Sequence, residues 1–185
     1  MKCNKWYMAI LCGVVILGIS SLSNAFEVHL KKNQINEAIK YGKQYKGIDI
    51  FNSDIIKSAC FGEFPDRWRG MIMSKYVEIA SFSAMKEMVN KPITEKELEE
   101  IVKSTELKVI VYISGIKVDD PGDIQIVLVQ GMNNILPMNT EFGRNKLSVV
   151  GFFSYDEVDT KASTAIEIRY RNAQSKYRIR FSSIK

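Results

Sequence analysis

Near Ser104 the apolar residues change their spacing from about 3.6 residues to about 2, dividing the chain into a helical part and a strand-rich part. Before the change, Ile35, Ala38, Ile39 and Tyr45 recur at helical intervals while Lys40 and Lys43 fall on the opposite side. An amphipathic helix ending near Gly47 is predicted. Ser53 is a candidate cap for a second, short helix through Ile56. From Ser74, the residues Tyr76, Ile79, Ala80, Ser83, Ala84 and Val89 fit a longer helix that stops before Lys91-Pro92. Part of this stretch, 71–79, also suits a strand. Thr94 followed by Glu97 forms a capping box, each side chain satisfying a backbone N–H of the other, and Leu98, Ile101 and Val102 supply the apolar stripe behind it.

After Ser104, β-branched and alternating runs predict strands over 107–114, 124–130, 147–155, 164–171 and 176–182. A weaker run at 134–138 contains Pro137, which cannot donate to a ladder and suits an edge. The expected fold class is α+β: a helical segment, 26–104, packed on an antiparallel β-sandwich or sheet of five to six strands, 105–185. Together they should form one folded unit.

Residues 1–25 have the form of a signal peptide. Lys2 and Lys5 precede an apolar or glycine run, 8–19, and Ser23-Asn24-Ala25 offers small residues for a cut. Cleavage after Ala25 is expected, which places the working protein in the periplasm or outside the cell. An uncleaved anchor is the alternative, but the run is short against the about 20 apolar residues that span a bilayer. Removal leaves 185 − 25 = 160 residues with a formal charge of +5 − 2 = +3. That mild bias, with no dense polybasic tract, gives no case for nucleic acid. No second apolar run reaches spanning length, so the mature chain is expected to be soluble or peripherally attached.

Export also strips the chain of chemistry-bearing residues. Cys3 and Cys12 leave with the leader, and Cys60 is expected as a small buried apolar side chain, with a reactive thiol or intermolecular disulfide as the alternative. His29 is the only imidazole and stands close to the new N-terminus, a poor setting for a triad or a zinc centre. Glycine-rich phosphate loops are absent from the sequence, and no cofactor is expected. Glu63 and Asp66 are the one pair suited to a carboxylate-dependent hydrolase. The clusters Asp119, Asp120, Asp123 and Asp156, Glu157, Asp159 lack the alternating ligand pattern of a calcium loop and read as turn chemistry.

Two stretches are candidates for binding. Phe64, Arg67, Trp68 and Arg69 lie in the densest aromatic and basic segment, where Trp68 either presents a stacking surface or seals the joint between the halves. In the final hairpin, Ile166, Ile168 and Tyr170, with Tyr177, Ile179 and Phe181, should point to the core. A connection centred between Ala173 and Gln174 would pair Arg171 with Lys176, Arg169 with Arg178 and Glu167 with Arg180. Arg169, Arg178 and Arg180 then form a basic ladder that either protects an exposed edge or receives lipid headgroups, an acidic glycan or a partner protein. The expected function is a non-catalytic, exported binding or envelope-assembly protein. A small hydrolase, or a carrier with a cavity between helices and sheet, is the alternative.

Overall fold

The computed structural model describes residues 26–185 except 64, 65, 67 and 114. The leader, Phe64 and Arg67 lie outside the described residues. The helices are α1 Lys32–Lys43, α2 Asp54–Ala59, α3 Lys75–Met88 and α4 Glu95–Lys103. A 3₁₀ turn over Gly47–Asn52 links the first two. Strands are β1 Cys60–Phe61, β2 Arg69–Met73, β3 Glu106–Tyr112, β4 Gln125–Gln130, β5 Asn133–Ile135, β6 Asn139–Phe142, β7 Ser148–Ser154, β8 Thr164–Tyr170 and β9 Ala173–Ile179. The class is α+β, with two antiparallel sheets among the described residues, ordered β1-β2-β3-β7-β6 and β5-β4-β8-β9.

Three helix starts follow their caps. The Ser53 hydroxyl accepts from the Ile56 N–H at 3.4 Å, and the Ser74 hydroxyl accepts from the Val77 N–H at 3.1 Å. The Thr94–Glu97 capping box forms as expected, and Lys86 adds an ion pair to Glu97 at 2.5 Å that ties α3 to α4. Lys75, buried at the start of α3, donates to the Val102 carbonyl at 2.7 Å, in the last turn of α4. Desolvation lowers its pKa, opposed by Glu78.

Helices α1 and α3 meet with almost no space between their backbones. A Cβ on Gly42 would stand 2.2 Å from the Ala80 carbonyl oxygen and 2.7 Å from the Ser83 Cβ. Helix α3 is joined to the outer face of β3 by the Lys108–Glu78 ion pair at 2.5 Å. The inward faces of the sheets supply most of the core: Leu107, Val109, Val111, Val149 and Phe153 on one side, Ile126, Leu128, Ile166 and Ile168 on the other. They meet at Gly151, where an added Cβ would lie 3.3 Å from the Ile126 Cδ1. Among the described residues, buried side chains from both halves of the sequence, from Phe26 to Ile184, belong to this one cluster.

The expected division into helices and then strands is approximate, because β1 and β2 belong to the helical half and extend the first sheet. β6 was not anticipated; Asn139-Thr140-Glu141-Phe142 contains one large apolar residue, and an edge strand needs no buried stripe. The hairpin register also differs. Tyr170 faces Ala173, so the turn is Arg171-Asn172, with Arg171 at φ 53°. Arg169 therefore faces Gln174 rather than Arg178, a slip of 178 − 174 = 4 residues. An even slip keeps each side chain on its face, so Tyr177 and Ile179 still point inward while their partners change.

Replacing Gly42 by Ala should destabilise the protein by about 1–3 kcal/mol through overpacking, although alanine favours an isolated helix by about 1 kcal/mol. A rise in thermal midpoint for this variant would contradict the close helix approach. The hydrogen bond from Lys86, followed by those from Thr94, lowers the Glu97 pKa from 4.5 to about 2. Glu97 thus adds stability that is complete above its ordinary pKa and lost as pH falls toward about 2. Glu97→Gln should lose less of its thermal midpoint than the parent over that acid range, and equal losses would refute the assignment.

Candidate functional site

Trp68 is fully buried, at 0 % exposure, and gives no stacking surface to solvent. Its ring meets Tyr170 edge-on, with centroids 6.0 Å apart, and its carbonyl accepts from the Tyr177 hydroxyl at 2.8 Å. Phe61 packs on Tyr177 at 5.5 Å. These contacts join the β1–β2 end of one sheet to β8 and β9 of the other, so Trp68 seals a joint and offers no surface contact. Arg69 is exposed at the start of β2.

Glu63 and Asp66 form a local turn. The Asp66 carboxylate accepts from the Glu63 N–H at 3.2 Å, and the Asp66 N–H donates back to the Glu63 carbonyl at 2.5 Å. Both are exposed. Asp120 is spent in capping a 3₁₀ turn, accepting from Gly122 at 2.7 Å, and Asp159 accepts from the Lys161 N–H at 2.8 Å. Among the described residues, no group of three or more His, Cys, Asp or Glu converges to hold a metal ion. Cys60 is exposed on β1 rather than buried, because it takes the outward-facing position of a two-residue strand whose other residue, Phe61, turns inward. Desolvation of its thiol raises the pKa, which works against the reactive thiolate.

The basic ladder of the final hairpin separates into two parts. Glu167 on β8 is 5 % exposed, accepts from the Arg169 Nε at 2.5 Å and lies 3.9 Å from the Lys176 Nζ. The corrected register puts Glu167 opposite Lys176, so the centre of the hairpin is a partly buried ion cluster instead of a row of like charges. Arg169 is committed to that cluster. Arg178 and Arg180, both exposed, have no ion-pair partner among the described residues.

Three open depressions meet around these two arginines at the end of β9. One, about 420 Å³, has Val129 and Ala165 in its lining with Ser163, Thr164, Lys176 and Arg178. Another, about 470 Å³, is lined by Phe26, Thr160, Lys161, Ser163, Arg180 and Ser182, with Ala162, Ile179 and Phe181. A third, about 330 Å³, contains Ser58, Cys60, Arg178, Arg180 and Ser183. None of their lining residues is acidic. A fourth depression, about 290 Å³ between α3, α4 and β3, is lined by three glutamates, Glu78, Glu97 and Glu100, together with Lys108. Glu63 and Asp66 line none of the four.

The structure brings Arg178 and Arg180 together and leaves Arg69 outside their depressions. It adds Lys161 and the hydroxyls of Thr160, Ser163 and Ser182, which sequence reasoning missed. Lys161 stands in a short polar loop whose spacing carries no signal; only the approach of that loop to β9 gives it a role. Exposed apolar side chains form two other surface features: Ile48, Phe51, Met88 and Val89 around the 3₁₀ turn and the end of α3, and Met132, Leu136 and Met138 around β5. Among the described residues, no helix is long and apolar enough to cross a membrane.

Compared with protein-family models, curated proteins and solved structures, the chain has no match in any of the three.

Removing the hydroxyl that holds the Trp68 carbonyl, by Tyr177→Phe, should cost about 1 kcal/mol, measured by denaturant unfolding with the slope unchanged. No loss would show that the contact is not formed in solution.

Proposed function

We propose that this chain is an exported, non-catalytic binding domain whose working surface is the basic end of the final hairpin, formed by Lys161, Arg178 and Arg180. Its counterpart is an anionic surface in the envelope or outside the cell. The observation that carries the proposal is the pair of exposed arginines without ion-pair partners, Arg178 and Arg180, bordering three adjoining depressions with no acidic lining residue. Cations left unpaired beside one another repel, so their clustering is unfavourable until an anion arrives. Hydroxyl donors at the same rim suit oxygen-rich ligands. The export reading rests on residues 1–25 of the sequence.

Binding should fall steeply with salt, since exposed charges are screened beyond roughly 10 Å at moderate ionic strength. Each basic residue near an anionic bilayer contributes on the order of fivefold in affinity. Substituting Lys161, Arg178 and Arg180 together by Gln should therefore weaken sedimentation with phosphatidylglycerol vesicles by roughly a hundredfold. Arg169→Gln should have a smaller effect than Arg178→Gln, because Glu167 already balances Arg169. Unchanged binding of the triple variant, or equal binding of the parent to pure phosphatidylcholine vesicles, would defeat the proposal.

A further inference from the structure

Phe26, the residue that follows the expected cut, is anchored in the core at 6 % exposure. Its ring packs on Phe181 at 4.9 Å and on Tyr155 at 6.2 Å. Phe26 also lines the depression of about 470 Å³ that holds Lys161 and Arg180. Before cleavage its nitrogen is a neutral amide. Hydrolysis of the Ala25–Phe26 peptide bond by a signal peptidase consumes one water, leaves a carboxylate on Ala25 and frees the α-amine of Phe26. An α-amine has a pKa of about 7.7–8.0 and is mainly protonated at neutral pH.

We infer that removal of the leader completes a phosphate-binding site, with the new α-ammonium of Phe26 as its third cation beside Lys161 and Arg180. The inference rests on the anion-binding role proposed above and on cleavage after Ala25. With that ammonium added to Lys161 and Arg180, which line the depression, the positive charge exceeds what a carboxylate, with its single charge, can balance. A phosphate monoester carries close to two charges and three terminal oxygens, which suit two primary ammoniums, a guanidinium and the hydroxyls of Ser163 and Ser182. The ring contacts to Phe181 and Tyr155 tether the residue that carries the new terminus, which limits the ordering an anion must impose. Processing thereby couples export to binding: the unprocessed chain lacks one of the three charges.

The test uses the protein beginning at Phe26, which retains every core residue among the described residues, in two forms, with the N-terminal amine free or acetylated. Two probes share the phosphate monoester: phosphatidic acid in phosphatidylcholine vesicles, and glycerol 3-phosphate in solution. The free amine should bind about fivefold more tightly than the acetylated form. Tighter binding to both probes assigns the site to phosphate esters in general; tighter binding to vesicles alone assigns it to a lipid headgroup. Equal binding by the free and acetylated forms would overturn the inference, and binding that survives Lys161→Gln with Arg180→Gln would overturn it too. If acetylation has no effect while the triple variant of Lys161, Arg178 and Arg180 still loses vesicle binding, only the role of the amine fails. If the triple variant also binds normally, the proposed function fails with it.

Discussion

The burial of Trp68 between the edges of the two sheets is the constraint on which the remaining architecture depends. Its indole lies against Tyr170 of β8, and the Tyr177 hydroxyl of β9 holds its carbonyl. A buried indole of this size represents about 3–5 kcal/mol against truncation, a large share of the roughly 5–15 kcal/mol that holds a domain folded. Because this joint fixes β9 next to β1, it also fixes where the cations of β9 emerge. Trp68, the aromatic residue that looks most like a contact surface in the sequence, is thus a structural element, and the surface it positions is the one with unpaired charge.

Much of the fold was legible in the sequence because its signals are local. The Ser74 and Thr94 caps, the apolar stripe of α4 and the alternation in β3 each depend on residues within a few positions of one another. Short edge strands were harder to read. β1 is two residues long and β6 has one large apolar residue, so neither carries an apolar alternation of its own, and each is held by pairing to the strand that follows it, β1 to β2 and β6 to β7. The hairpin register shows the same limit more finely. Alternation assigned the inward face of Tyr177 and Ile179, but a slip of an even number of residues leaves alternation intact, so it did not determine which charges face each other.

That register has electrostatic consequences. With Glu167 opposite Lys176 and bonded to Arg169, the middle of the hairpin neutralises itself, and the excess positive charge shifts to its far end. There it meets Lys161 from the loop before β8 and Phe26 from the N-terminal end of the described chain, residues that no sequence spacing connects. The candidate site was therefore only partly visible beforehand: Arg178 and Arg180 were in view, whereas the residues that give their surroundings a concave, hydroxyl-bearing form were not.

The central claim is that this end of the hairpin, rather than either apolar outcrop, meets an anionic surface. Backbone amide chemical-shift mapping of the 26–185 protein against phosphatidic acid nanodiscs tests it most directly. Perturbations concentrated at 160–165 and 176–183, and suppressed by added salt, are the predicted result. Perturbations centred on Ile48, Phe51, Met88 and Val89, or on Met132, Leu136 and Met138, with the hairpin unchanged, would contradict it.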